Sequence, residues 1–147
     1  MSNVVRGLAA GAALAVAAAL GMGLTSAAYA EGAIAIGASG DFAKDGFAFG
    51  AAINKPNADE AGAQALATCR KYEGAPKMAE ICKVVFNFSH ECYALSFDPD
   101  AGTPGVGWAI AGDKETAEDR ATKNCQVTAG ASRRQFCKVN QSFCDDN

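Results

Sequence analysis

The chain has 147 residues, half of them apolar, with 13 Lys+Arg against 16 Asp+Glu and a formal net charge of −3. That charge has the wrong sign for a nucleic-acid binder, which needs a basic surface, and the apolar share is too high for a disordered chain. One histidine beside six cysteines leaves little room for His-based metal or triad chemistry.

Arg6 is the only charge before Glu31, and an Ala-rich apolar run from Gly7 to Leu24 follows it. Ala28-Tyr29-Ala30 then fits the small-x-small rule of a signal-peptidase site, because the peptidase pockets at those two positions admit only small side chains. The reading is a cleaved signal peptide over 1–30 and one exported domain over 31–147. An uncleaved anchor is the weaker reading, since the run is barely long enough and Ala and Gly are only weakly apolar. Loss of the first 30 of 147 residues leaves 117, with 12 basic and 16 acidic side chains. All six cysteines stay in that part, an even number in an exported chain, which points to disulfides in the periplasm or outside the cell.

The exported part reads as one unit written twice, over about 32–91 and 92–144. Gly50-Ala51-Ala52-Ile53, Asn57, Ala61, Ala65 and Cys69 are echoed by Gly107-Trp108-Ala109-Ile110, Asp113, Ala117, Ala121 and Cys125. Ile81-Cys82-Lys83-Val84 is echoed by Phe136-Cys137-Lys138-Val139, and Cys92 and Cys144 close the two series.

In chain order, Gly32–Gly37 is a short apolar strand, followed by turn residues at Ser39-Gly40-Asp41 and Lys44-Asp45-Gly46. Phe47–Ile53 is a second strand. Asn57 with Glu60 three residues on makes a capping-box pattern for a helix over 58–72. Its inward face is Ala58, Ala61, Ala65, Cys69 and Tyr72. Gly74 and Pro76 stop it. Ile81–Phe88 is a strand with Val84, Phe86 and Phe88 on one face. In the second half Cys92–Phe97 and Val106–Ala111 are strands around a loop with Asp98-Pro99-Asp100. Asp113 caps a helix with Ala117, Ala121 and Cys125 inward, and the last strand begins at Phe136. The expected fold is α+β: a duplicated strand-strand-helix-strand unit, mainly antiparallel, with both helices on one face of the sheet and disulfides fastening it.

Six cysteines allow fifteen pairings, and sequence alone selects none. If both halves fold alike, Cys69–Cys82 and Cys125–Cys137 each tie a helix to its next strand, and Cys92–Cys144 is left to join the halves. Zinc and thiol-redox readings are weak without a Cys-x-x-Cys. Asp98-Pro99-Asp100 lacks the ligand run of a calcium loop. No Gly-Lys-Ser/Thr follows Gly37, Gly40 and Gly46, so no phosphate-binding motif stands there; no cofactor is implied. His90 lies in a turn two residues before Cys92. It would matter for catalysis only if that thiol were free. Asp145-Asp146 read as a solvated tail, and Arg133-Arg134 with Lys138 as a small solvent-facing basic spot. Trp108 is the one tryptophan, after a Gly-rich loop, and is the candidate contact for a partner or a sugar. Phe42, Phe47 and Phe49 flank the matching loop of the first half.

Taken together, Gly32-Ala33-Ile34-Ala35, Glu60-Ala61, Ala65-Leu66-x-x-Cys69, Cys82-Lys83-Val84-Val85, Cys92-Tyr93-Ala94-Leu95 and the echo through Cys125, Cys137 and Cys144 resemble a family of small exported bacterial proteins, domain of unknown function 4189. The resemblance covers nearly all of 32–144. It implies an exported, cysteine-containing domain and supplies no activity or catalytic residues to carry over. The functional expectation is a non-catalytic binding module of the bacterial envelope, with an inhibitor of an envelope enzyme as one concrete form. Its partner is an unknown protein or envelope component. A small hydrolase or thiol-redox protein using His90 and a free cysteine is the alternative.

Overall fold

A computed structural model of the chain describes residues 31–145; the expected signal peptide and Asp146 lie outside the described residues. The first half contains β1 (Glu31–Gly37), α1 (Phe42–Asp45), β2 (Ala48–Lys55), α2 (Ala58–Arg70), α3 (Pro76–Glu80) and β3 (Lys83–Phe88). The second contains β4 (Cys92–Phe97), β5 (Val106–Ala111), α4 (Lys114–Ala129), a 3-10 turn (Arg134–Phe136) and β6 (Lys138–Cys144). The class is α+β with antiparallel pairing throughout. The six strands divide into two three-stranded sheets, ordered β2-β1-β3 and β5-β4-β6, rather than forming one. Each long helix therefore covers one face of its own sheet, α2 in the first half and α4 in the second. The uncovered faces pack against each other, giving layers in the order helix, sheet, sheet, helix.

Side-chain size assigns the two faces. Along β1, Ala33 and Ala35 turn to α2, while Ile34 and Ile36 turn to the other sheet. Along β4, Cys92 and Ala94 turn to α4, while Tyr93 and Leu95 face the seam. Small residues let a helix lie close on a strand. An added Cβ at Gly50 would stand 2.2 Å from the Ala65 carbonyl oxygen, and one at the matching Gly107 2.2 Å from the Cys125 nitrogen. Large residues fill the seam between the sheets. Tyr93 sits at its centre, with ring centroids 6.0 Å from Phe49, 6.1 Å from Phe88 and 5.9 Å from Phe143. Burial pushes its hydroxyl pKa up to about 12.

Both long helices begin at capped positions. The Asn57 side chain accepts from the Glu60 amide at 2.9 Å, and Asp113 accepts from the Thr116 amide at 2.8 Å. Four local expectations change. The Ser39–Gly46 loop carries one helical turn, because Asp41 accepts from the Lys44 amide at 3.1 Å. Helix α2 ends at Arg70, so Tyr72 falls beyond it and is 44 % exposed instead of facing inward. A register shift between Ile34 and Ala35 breaks the alternation of β3. Phe88 joins the seam, while Val84 is carried over toward Gly62 of α2. Before β6 the chain makes a 3-10 turn over Arg134–Phe136, and the strand starts at Lys138.

The six cysteines stand in three pairs at bonding distance: Cys69–Cys82, Cys125–Cys137 and Cys92–Cys144. The first two occupy equivalent places in the two halves. Cys92–Cys144 does not join the halves, because both residues belong to the second sheet, at the start of β4 and the end of β6. The halves are held across the seam by apolar packing and by Asp145. This residue is 2 % exposed and not a solvated tail. Its amide donates to the Glu91 carbonyl at 2.9 Å, and one carboxylate oxygen accepts from the Asn54 amide of the other sheet at 2.6 Å.

Candidate functional site

The loops that follow β1 and β4 differ between the two halves, and they meet. The first bears α1, whose Phe42 ring packs edge-on against Phe47 at 6.1 Å. Phe47 in turn packs against Phe97 at the end of β4, at 5.9 Å. The second loop runs from Asp98 to Gly105 and is closed by the Asp98 amide donating to the Gly105 carbonyl at 2.9 Å. Asp98 turns the chain by accepting from the Asp100 amide at 3.1 Å, and the Thr103 hydroxyl donates to the Asp100 carbonyl at 2.8 Å. A positive φ of 76° at Gly102 completes the bend.

Arg133, four residues past the end of α4, locks this loop. Its guanidinium donates to both oxygens of Asp98, at 2.7 and 2.8 Å, and to Asp100 at 2.5 Å. It also lies 4.3 Å from the centroid of the Phe136 ring. The basic spot expected to face solvent is thus in part a clamp. The Asp98 carboxylate is fully covered, the Arg133 side chain is 29 % exposed and the Asp100 side chain 64 %. The hydrogen bond from Arg133, with help from the Asp100 amide, holds the Asp98 carboxyl below the usual carboxylate range.

Between the two loops lies a cleft of ≈ 350 Å³, a size within the roughly 300–1,000 Å³ range of small-ligand sites. Its walls offer the rings of Phe42, Phe47, Tyr72 and Phe97 and the polar groups of Asp100 and Thr103. Phe42 and Val106 are shared with a second hollow of ≈ 380 Å³, lined by Trp108, Asn124, Val127 and Thr128. Trp108, half-buried, thus lines a hollow next to the cleft. The adjoining edge of β5 is closed by α4. The Thr128 hydroxyl accepts from the Val106 amide at 2.9 Å and donates to its carbonyl at 2.7 Å, and the Asn124 amide donates to the Trp108 carbonyl at 2.9 Å.

His90 sits exposed in the bend between β3 and β4 with a positive φ of 55°, and its neighbour Cys92 is paired with Cys144. Among the described residues no cysteine is free, and no three or more His, Cys, Asp or Glu side chains gather as a metal site would require. None of the described helices is long and apolar enough to cross a membrane. Sequence reasoning missed the clamp. Arg133 is 35 positions from Asp98, and nothing local links them. A faint signal lay in Asp98-Pro99-Asp100, whose two carboxylates on one turn require a cation or water.

This arrangement defines a class: a small α+β domain of two similarly folded halves with paired cysteines, and a cleft where the loops of the halves meet. Residues 31–144 match the family described as domain of unknown function (DUF4189), and the chain belongs to that family. No curated protein and no solved structure matches the chain.

Proposed function

We propose that this protein is an exported binding module of the cell envelope that holds a small ligand, or a protruding part of a larger one, in the groove between residues 42–47 and 97–108. The observation that carries this reading is the clamp: Arg133 fixes both acids of one loop wall, so the groove exists before anything enters it. A preformed site saves the ordering cost that a flexible loop would impose on binding. Placement in the envelope rests on the Ala-rich leader with its small-x-small end and on six cysteines standing in three pairs.

The test is an amide-resolved NMR screen of the isotope-labelled protein against small molecules and solubilised envelope fractions. The expected result is shifts concentrated in residues 42–47 and 97–108. Shifts confined to the exposed β3 and β6 edges would contradict the reading, as would turnover of a compound that depends on His90.

A further inference from the structure

We infer that the groove takes a neutral saccharide of at least two ring units, lying from Tyr72 past Phe42 to Trp108; this rests on the binding reading above and names its ligand. The cleft walls carry three acids, Asp45, Asp98 and Asp100, and one base, Lys44. Asp98 and Asp100 share Arg133, and Asp45 accepts from the Ser39 hydroxyl at 2.7 Å. An anionic ligand would face those three carboxylates, which outnumber Lys44. A cationic one would compete with a two-point guanidinium contact to a covered acid. What is left to a ligand is ring surface and hydrogen-bonding edge. Tyr72 is 44 % exposed, Phe42 and Trp108 are half-buried, and the Asp100 carboxylate and Thr103 hydroxyl stand beside them.

A sugar ring presents that same pair of surfaces, apolar C–H faces and hydroxyl edges. The faces can lie on Tyr72, Phe42 and Trp108, while the hydroxyls donate to an acceptor whose geometry Arg133 fixes. The two adjoining hollows, ≈ 350 and ≈ 380 Å³, give room for consecutive rings. A peptide added as a strand finds no ladder here. Thr128 and Asn124 already occupy the edge groups of Val106 and Trp108.

The probes are β-1,4-linked oligomers of N-acetylglucosamine, cello- and malto-oligosaccharides, and insoluble wall glycan in a pull-down. Trp108 is the sole tryptophan, so its emission reports on the groove directly. The expected result is a saturable change in that emission with at least one oligomer series. Affinity should be insensitive to salt between about 0.05 and 0.5 M, where a charged ligand would weaken. Tyr72→Ala and Asp100→Asn, both at exposed side chains, should each weaken binding about tenfold, and Phe86→Ser on the distant β3 edge should change nothing. Retention on wall glycan without response to free oligomers would assign the polymer as the source; response to the free oligomers would assign soluble sugar. If no saccharide acts but another compound shifts residues 42–47 and 97–108, the saccharide inference falls and the binding reading stands. Saccharide binding untouched by both groove variants also overturns it. If nothing perturbs the groove, both fall.

Discussion

An alanine at Gly50 or at Gly107 tests the close approach of helix to sheet in each repeat. At Gly50 the new Cβ would stand 2.2 Å from the Ala65 oxygen and 2.4 Å from the Cys69 nitrogen; at Gly107 it would stand 2.2 Å from the Cys125 nitrogen and 2.5 Å from the Ala121 oxygen. Ordinary contact begins at 3.4 Å. The obstructing atoms are backbone, and a disulfide anchors each helix at that turn through Cys69 or Cys125. The strand must therefore withdraw by roughly 1 Å, opening gaps along a row of buried alanines. Overpacking of this kind costs about 1–3 kcal/mol. With backbone as the obstacle we place both variants near 3 kcal/mol, a fall in Tm of about 10 °C for a domain of this size. Gly62→Ala is the control. It lies inside α2 with only the Val84 methyl at 3.5 Å, and the change should stabilise by about 0.5–1 kcal/mol. Thermal and urea unfolding followed by circular dichroism read all three. If Gly50→Ala and Gly107→Ala both unfold within 0.5 kcal/mol of the parent, the close packing is wrong; if only one is affected, the halves are not equivalent.

Three further outcomes follow from the same contacts. The Asp98 carboxyl is lowered in the folded state, so its contribution is complete above its unfolded pKa, near 4, and is lost as pH falls through the folded value. Stability measured across that acid range should fall less steeply in Asp98→Asn than in the parent. Asp145→Ala strands the Asn54 amide at the seam and should cost about 1–3 kcal/mol; hydrogen exchange should show the Asn54 amide opening faster, with Asp145→Asn close to the parent. Replacing Cys92 and Cys144 together by alanine releases a loop of 52 residues and should cost about 4 kcal/mol in urea unfolding, against about 3 kcal/mol for the 13-residue loop of Cys69–Cys82.

What could be read from the sequence is what local chemistry decides. Asn57 and Asp113 mark helix starts because a cap acts within three residues, and the Ala and Cys spacing that betrays the duplication is also the buried stripe of each helix. The split into two sheets could not be read, because alternation shows that β1 and β4 are apolar on both faces but not what covers the second face. A hint was present in residue size: Ile34, Phe49, Tyr93 and Leu95 are too bulky for the side on which alanines meet a helix, and they form the seam. Tyr72 was misplaced because helical periodicity continues past the point where Lys71 closes the helix. Trp108 could be singled out as a contact, but the cleft beside it is walled by Asp98 and Asp100, which Arg133 reaches from 35 and 33 positions away. Asp145 was read as tail because its partner, Asn54, is 91 positions distant.

In this fold each half is fastened by its own helix-to-strand disulfide, and no thiol is left for chemistry. A free-thiol count with non-reducing peptide mapping of the purified protein decides this. The expected result is no free thiol and three linked peptide pairs, Cys69 with Cys82, Cys125 with Cys137 and Cys92 with Cys144. A free thiol at Cys92 beside His90, or a Cys82–Cys92 bridge, would contradict it and return thiol chemistry to first place.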